Sequence, residues 1–372
     1  MAVAFTDLKL TFELHQEEYE EALLSSLRSG WYILGEQLEK FEKEFAHYLG
    51  IKHCIGCGCG QDALTLAVRS LGLGSGNEVV VAGNTFIASV LAVTENKATP
   101  VFVDCNEYFE IDESKIESVL TGRTKAILLT NLYGQCCNLP AIRDICDKNG
   151  LKLIEDCAQS HGARFHDVLG GTAGDVSCFS FYPTKPLGAF GDGGAIVTDD
   201  DSLAEKLRML RNYGSREKYV NEICGTNSRL DELQAAVLRV GLRHLDESNS
   251  ERIRIASRYL REIKNPLVEL PKTREGADHV FHVFALRTAL RDELRKYLAD
   301  CGIQTQIHYP FPPNQAQCYA TESFAAVDLP NTDQYAKEEL SLPIYCGMPE
   351  EDVDQVIAAV NSFTGGFSAH VL

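Results

Sequence analysis

Hydrophobic and polar positions along this chain alternate between two periods. Short apolar runs or period-two alternation predict strands over Glu78–Ala82, Val101–Asp104, Lys125–Asn131 and Leu151–Glu155. Between them and around them, helical spacing predicts helices over Gln61–Leu71, Phe86–Asn96, Asp112–Leu120 and Leu139–Lys148. Such β/α alternation predicts an α/β fold around a mostly parallel sheet. Helices are also expected over 14–28 and 36–49, joined by the turn Ser29-Gly-Trp-Tyr-Ile-Leu-Gly35. Leu230, Leu233, Val237 and Val240 share one face of a further helix that should continue to about Lys264. Beyond Pro266 the elements shorten, to a strand over His279–Leu286, a helix over Arg291–Cys301 and a strand over Gln304–Tyr309. The chain should therefore divide into a large domain over residues 1–248 and a smaller C-terminal α+β domain over 249–372.

One stretch breaks this rhythm. Asp175–Phe181 alternates like a strand, Ala195–Thr198 resumes a β pattern, and Lys185 stands on the loop between them. Pro183 and Pro186 fix the backbone around it, while Gly188, Gly191, Gly193 and Gly194 allow a tight course. A surface turn that carries a lysine is the plainer reading. A lysine that attacks a carbonyl, however, needs such a rigid seat and partial desolvation, which lowers its pKa and frees the amine. Upstream, the strand Leu151–Glu155 delivers Asp156 to its carboxyl end, where open parallel sheets form their ligand crevice. A carboxylate there, with a strand-flanked lysine downstream, suits pyridoxal phosphate (PLP): the lysine bonds the aldehyde and the anion keeps the pyridine nitrogen protonated.

The run His53-Cys54-Ile-Gly56-Cys57-Gly58-Cys59-Gly60-Gln61 admits three readings. A dinucleotide fingerprint fails, because Gln61 stands where a glycine is required. A metal site on Cys54, Cys57 and Cys59 lacks a second cysteine pair. A glycine-lined turn opening a helix, whose free N–H groups suit a phosphate, is the reading kept. Composition narrows the classes further. With 45% hydrophobic and 24% charged residues among 372, the chain reads as an ordinary globular protein. A net charge of −18 disfavours nucleic acid or an anionic membrane as partner, so an anionic substrate must meet a few local cations. Thirteen cysteines, an odd number and mostly inside apolar patterns, read as small buried hydrophobes in a reducing compartment. No run approaches a membrane span and the first residues show no signal-peptide pattern, so a cytoplasmic location is expected.

Three motifs, in this order, carry a resemblance: Glu155-Asp156-Cys-Ala-Gln159, Ser180-Phe-Tyr-Pro-Thr-Lys185-Pro-Leu-Gly-Ala-Phe-Gly-Asp-Gly-Gly194 and Gly225-Thr-Asn227-Ser-Arg229-Leu-Asp-Glu-Leu-Gln234. Together they resemble the DegT/DnrJ/EryC1/StrS nucleotide-sugar aminotransferases, fold-type I PLP enzymes with an aspartate-aminotransferase-like fold, over nearly the whole chain. The resemblance implies that Lys185 is the catalytic lysine bonded to PLP, with Asp156 on the pyridine nitrogen and Phe86 and Gln159 on the two faces of the ring. It assigns the phosphate to Gly60, Gln61, Ser180 and Asn227, the last reaching in from a neighbouring subunit, so that a homodimer shares its sites. Gly60-Gln61 replaces a usual Gly-Thr or Gly-Ser, which removes a hydroxyl from that set. Lys185 itself speaks against the family's dehydratase branch, which resembles this chain with histidine there. His161, a lone histidine without a matched partner, reads as structural.

The resemblance further implies a ping-pong transamination, with L-glutamate as amino donor and a nucleotide-linked keto sugar as acceptor. The stretches Ser29–Gly35, Arg211–Arg216, Tyr219–Glu222 and Asn227–Gln234 look most like the branch that aminates C3 of dTDP-linked 3-keto-6-deoxyhexoses, in deoxyamino-sugar pathways such as O-antigen synthesis. Thr184–Gly188 looks closer to a branch acting on UDP-linked 3-keto sugars, and a nucleotide-linked 4-keto sugar is a further alternative. Tyr32, Thr184, Arg229, His308 and Tyr309 are the expected substrate contacts, with Arg229 and His308 as cations for the diphosphate. Asn314 and Gly347 depart from the family's usual residues near the sugar. A non-catalytic regulatory protein on the same fold is the contrasting class, against which the absence of a DNA-binding extension weighs. No metal is expected.

Overall fold

The computed structural model describes residues 2–365; Met1 and residues 366–372, which the expected domain spans include, lie outside it. Its central sheet is built from β1 (His53–Cys57), β2 (Glu78–Ala82), β3 (Thr99–Val103), β4 (Thr124–Thr130) and β5 (Lys152–Asp156). A small hairpin, β6 (Arg164–Phe165) and β7 (Val168–Leu169), precedes the last two sheet strands, β8 (Val176–Ser180) and β9 (Gly194–Thr198). The order across the sheet is β1-β9-β8-β5-β4-β2-β3. From β8 to β3 all neighbours are parallel, whereas β9 runs antiparallel to both β8 and β1.

Both faces of the sheet are covered, which explains why the strands read as apolar runs instead of a clean alternation. Val79, Val81, Leu128 and Ile154 pack with the helices Gly60–Ser70, Ile87–Glu95 and Asp201–Leu210. Their neighbours in sequence, Val80, Ile127, Leu129 and Leu153, point the other way and meet Leu139, Ile142 and Cys146 of the helix Leu139–Asn149. Toward β9 that second face is covered by the helices Glu36–Leu49 and Glu232–Arg243. All thirteen cysteines are free, and most are buried, Cys224 and Cys318 being exposed.

The long helix expected to reach Lys264 instead breaks at His244, giving Glu232–Arg243 and Leu245–Glu262. Of the strand expected over His279–Leu286 only its end is formed, as part of a strand Phe284–Arg287, and a separate two-residue strand, Ala277–Asp278, precedes the expected start. Between them Val280 and Val283 donate their N–H groups to Gly134 and Tyr133 (2.8 and 3.1 Å), and Phe281 takes φ +47°. Gln304–Tyr309 is likewise no strand. Gln306 alone bridges Ser341, and His308 N–H goes to the Glu339 carboxylate (2.6 Å) instead of a ladder carbonyl. A separate apolar cluster gathers Val3 with residues between Ile255 and Phe363, so the first residues of the chain pack against its last third. The expected boundary at 248/249 falls inside the helix Leu245–Glu262.

Glu155, fully buried, ties the sheet to the segment before β8. Its carboxylate accepts from the backbone N–H groups of Gly171 (3.0 Å), Ala173 (2.8 Å) and Gly174 (2.7 Å), from Ser177 Oγ (3.2 Å) and from Asn131 Nδ2 (3.2 Å). Glu155→Ala strips the acceptor from all of them, at about 1–3 kcal/mol for each buried donor left unpaired. We expect urea unfolding to show a loss on the order of 3 kcal/mol or more; an unchanged midpoint would contradict this role.

Candidate active site

Beyond the carboxyl ends of β4, β5 and β8 lies a cavity of about 510 Å³, the position where open parallel sheets bind ligands. Lys185, Asp156, Gln159, Ser180, Phe86 and Tyr309 all line it. The β8–β9 loop presents the lysine. Phe181 N–H to Gly193 O and Ala189 N–H to Phe181 O, both 2.8 Å, close the loop on itself, and Lys185 N–H bonds Tyr182 O at 2.8 Å. The packing is tight enough that a Cβ on Gly188 would fall 2.4 Å from the Pro183 carbonyl oxygen.

Burial pulls the Lys185 pKa down to about 8, against the raising field of Asp156. Burial likewise pushes the Asp156 carboxyl up, opposed by a hydrogen bond from Ala158 N–H (3.1 Å), another from Ser89 Oγ (2.8 Å) and the Lys185 charge. Ser89 is itself held by Thr85 and Thr130, whose hydroxyls lie 2.9 and 3.4 Å from its own. Gln159 is fixed by accepting from Tyr133 N–H (2.7 Å) and donating to the Tyr309 hydroxyl (3.1 Å), and the Tyr309 ring lies 5.2 Å from that of Phe86.

At the other end of the cavity the helix Gly60–Ser70 begins. Its first N–H groups lack helical partners and its dipole is positive there. A Cβ on Gly60 would fall 2.6 Å from Cβ of Ser180, and one on Gly194 would fall 2.4 Å from the Cys59 carbonyl carbon. Only glycines let the helix start, β8 and the lysine loop meet this closely. The Gln61 side chain turns to Thr65 Oγ1 (3.4 Å). The cavity thus offers N–H donors and a hydroxyl at one end, a buried carboxylate at the other and an amine whose pKa is lowered to about 8, which fits a phosphate-bearing pyridine aldehyde.

The sequence profile of the DegT/DnrJ/EryC1/StrS aminotransferase family matches residues 13–361. The chain belongs to this family. It is 49% identical to the dTDP-3-amino-3,6-dideoxy-alpha-D-galactopyranose transaminase of Aneurinibacillus thermoaerophilus, over 97% of this chain and 99% of that one. It is 47% identical to the dTDP-3-amino-3,4,6-trideoxy-alpha-D-glucose transaminase of Streptomyces venezuelae, over 97% and 96% of the two chains. Among solved structures, S. venezuelae DesV in complex with a ketimine intermediate superposes with a TM-score of 0.94 at 47% identity, covering 97% of this chain and 98% of that one. The chain is a PLP-dependent aminotransferase.

In this aminotransferase Thr184, His308 and Tyr309 join Gly60, Gln61, Phe86, Asp156, Gln159, Ser180 and Lys185 around the one cavity. His308 enters it as a neutral imidazole, not as the cation expected from the sequence. Burial, aided by Lys185, lowers its pKa to about 4, and its Nδ1 is already engaged with Ser341 Oγ (2.7 Å). Tyr32, Asn227 and Arg229 stand outside the cavity. Tyr32 is 48% exposed with its hydroxyl on Leu27 O (3.2 Å), Asn227 is exposed, and Arg229 bonds Asn212 (3.1 Å) above the Tyr213 ring. These three belong to one joined surface. Glu232 N–H bonds Tyr32 O, Ile33 bridges Asp231 and Asn212 bridges Asn227.

His161 is buried beside Phe179 and Phe181, behind the lining residue Phe179, and does not itself line the cavity. Asn314 is buried and does not line the cavity either. Sequence reasoning missed Ser89, Thr130, Asp192, His282 and the N-terminal Phe5 and Thr6. For Ser89 a signal existed, since it follows Phe86 by three positions on the same helical face. For Phe5 and Thr6 no local signal exists, because only the folding back of the chain start brings them there.

The lowered lysine pKa has a kinetic signature. In cofactor-free enzyme mixed with PLP, followed by stopped-flow absorbance, the rate of covalent capture should rise about tenfold per pH unit below pH 8. It should level off above that point, the free amine being then the main species. An unburied lysine would keep gaining up to its usual 10.5. Asp156→Asn removes the field that raises the pKa, so its midpoint should lie lower than the wild type's.

Proposed function

We propose that this enzyme moves the amino group of L-glutamate to C3 of a dTDP-linked 3-keto-6-deoxyhexose. What carries the reading is the pairing of a part-buried amine at Lys185 with the buried Asp156 carboxylate across one cavity, in a chain that resembles two dTDP-sugar transaminases end to end. When bound, PLP supplies the electron sink that makes amine transfer possible. Asp156 would hold the proton on its ring nitrogen, Phe86 and Gln159 would flank the ring, and Gly60, Gln61 and Ser180 would take the phosphate. With a pKa lowered to about 8, Lys185 Nζ is suited to accept the proton released at the donor's α carbon and return it.

The exposed patch of Tyr32, Asn227 and Arg229 supports a homodimer in which Asn227 completes the phosphate site of the opposite subunit. Arg229 and Tyr32 would then meet the sugar nucleotide entering there, with Thr184, Tyr309 and the neutral His308 as hydrogen-bonding groups for the sugar. The two-domain division at the helix Leu245–Glu262 and a cytoplasmic site of deoxyamino-sugar synthesis, O-antigen among its outlets, complete the reading. No helix among the described residues is long and apolar enough to cross a membrane.

Glutamate should convert the bound cofactor to its pyridoxamine form with release of 2-oxoglutarate. The pyridoxamine form should then recover its original absorbance fastest with a dTDP-linked 3-keto sugar. A faster return with a 4-keto sugar would overturn the C3 assignment, and one with a UDP sugar would replace the nucleotide. Lys185→Ala should leave no borohydride-trapped cofactor on the chain; a trapped adduct would disprove the assignment. Mixing inactive Lys185→Ala with Asn227→Ala protein should regenerate activity if the site is shared, and no recovery would count against it.

A further inference from the structure

A second cavity, of about 580 Å³, lies against the same lysine loop. Thr6, Thr184, Lys185, His282 and Ile344 line both cavities, so the lysine belongs to the wall of each. Their electrostatic characters differ. The first cavity includes the carboxylates of Asp156 and Asp192, and Lys185 is the sole lysine or arginine among its lining residues. The second is lined by Lys9, Lys185 and Arg252 with His15, His244 and His282, and by no aspartate or glutamate. In a chain of net charge −18 such a lining is a local reversal of sign. Three carboxylates come near from outside the lining: Glu18 is taken by Arg243 (2.6 Å) and His244 (2.9 Å), Glu247 lies 3.8 Å from His244, and Glu251 accepts from Cys346 Sγ (2.7 Å) and acts on Arg252 through its field without a direct ion pair.

Arg252 is the unusual member. It is 8% exposed, makes no ion pair among the described residues and has an Nε without a hydrogen-bond partner. One of its NH groups donates to Asn249 Oδ1 (2.7 Å), and Asn249 Nδ2 is anchored on His161 O (2.9 Å), so the guanidinium is held in place. A buried guanidinium with no direct ion pair, only the more distant field of Glu251, is costly, and the cost is relieved when an anion arrives. The buried Tyr19 and the half-buried Ser248 add hydroxyls to the same lining. The field of Arg252 also reaches His161 and His282, both of which feel Lys185 too and stay neutral.

An amino donor must bring its amine to the lysine's place while its carboxylate finds a cation, and the chain's own residues give the first cavity no arginine, Arg229 of the opposite subunit being assigned above to the sugar nucleotide. We propose that Arg252 anchors a carboxylate of the amino donor, which makes the second cavity the donor's subsite. The inference rests on the transaminase reading above. A planar guanidinium edge with free N–H groups suits a carboxylate in two-point contact, and the arginine's fixed position makes it selective for where that carboxylate sits.

The test uses the holoenzyme and glutarate, a dicarboxylate without an amine, titrated by calorimetry beside inorganic phosphate. Wild type should bind glutarate more tightly than phosphate, and Arg252→Gln should weaken glutarate by about tenfold or more. The same variant should need correspondingly more glutamate to half-saturate cofactor conversion, while the keto-sugar half-reaction stays within about twofold of wild type. Arg252→Lys keeps the charge but loses the fork and should fall between. Tyr19→Phe, nearly isosteric, should weaken glutarate by about threefold, and these two variants decide the matter if the glutamine protein does not fold.

Absence of glutarate binding to the wild type overturns the proposal, as does unchanged binding in the Arg252 variants. So does equal binding of phosphate and glutarate with the glutamate half-reaction untouched in the variants, which would mark a general anion site. If wild type fails both half-reactions the transaminase reading itself falls, whereas failure confined to glutarate and Arg252 leaves that reading standing.

Discussion

Two opposite charges withdrawn from water face one another at the end of the parallel sheet, and the remainder of the molecule is arranged around that constraint. Burial alone would neutralise both Asp156 and Lys185, raising the pKa of one and lowering that of the other. Each opposes that drift in its partner, and the Ser89 hydroxyl and Ala158 N–H add hydrogen bonds that favour the carboxylate. The outcome is an amine poised near neutral pH beside an anion, a state that neither group would hold alone in a dry cavity. Maintaining it requires rigidity. The carboxylate stands on the last residue of a central strand, and the amine on a loop whose Phe181, Ala189 and Gly193 are joined by backbone bonds just beyond the ends of β8 and β9.

The histidines extend the same logic. His161, His282 and His308 all lie within the field of Lys185, and burial holds each of them neutral. They can donate or accept hydrogen bonds but bring no charge to compete with the lysine or to attract a second anion. Positive charge is instead concentrated on Arg229 at the surface patch and on Arg252 in the adjoining cavity. Because guanidinium groups hold their protons at any physiological pH, the proposed reception of anionic parts of substrates at these two arginines would rest on their positions and not on local titration.

How far the sequence could be read depended on whether a contact was local. The β/α run from Glu78 to Asp156 was legible because period and length coincide there: buried strands of five to seven residues separated by amphipathic helices. β1 escaped notice, since His53-Cys-Ile-Gly-Cys57 has few strongly β-forming residues and becomes a strand by pairing with β9, which lies far along the chain. The segments 279–283 and 304–309 had strand-like composition, but their backbone groups found partners in a turn and a side chain. Apolar alternation registers a half-buried surface and cannot say which partner will take the hydrogen bonds.

For the site, the sequence by itself determined the chemistry: a lysine bounded by prolines and glycines, a carboxylate at a strand end and a glycine turn at a helix start are each contiguous, and their backbone geometry follows from the residues themselves. The tertiary structure alone decided what surrounds them. It brought Ser89 onto Asp156 and folded Phe5 and Thr6 into the cavity. It buried His308 until its charge was lost, and it set Tyr32, Asn227 and Arg229 together on a face outside the cavity. Desolvation and long-range electrostatics are sums over everything packed nearby, and a sequence states no distances between residues that only folding makes neighbours.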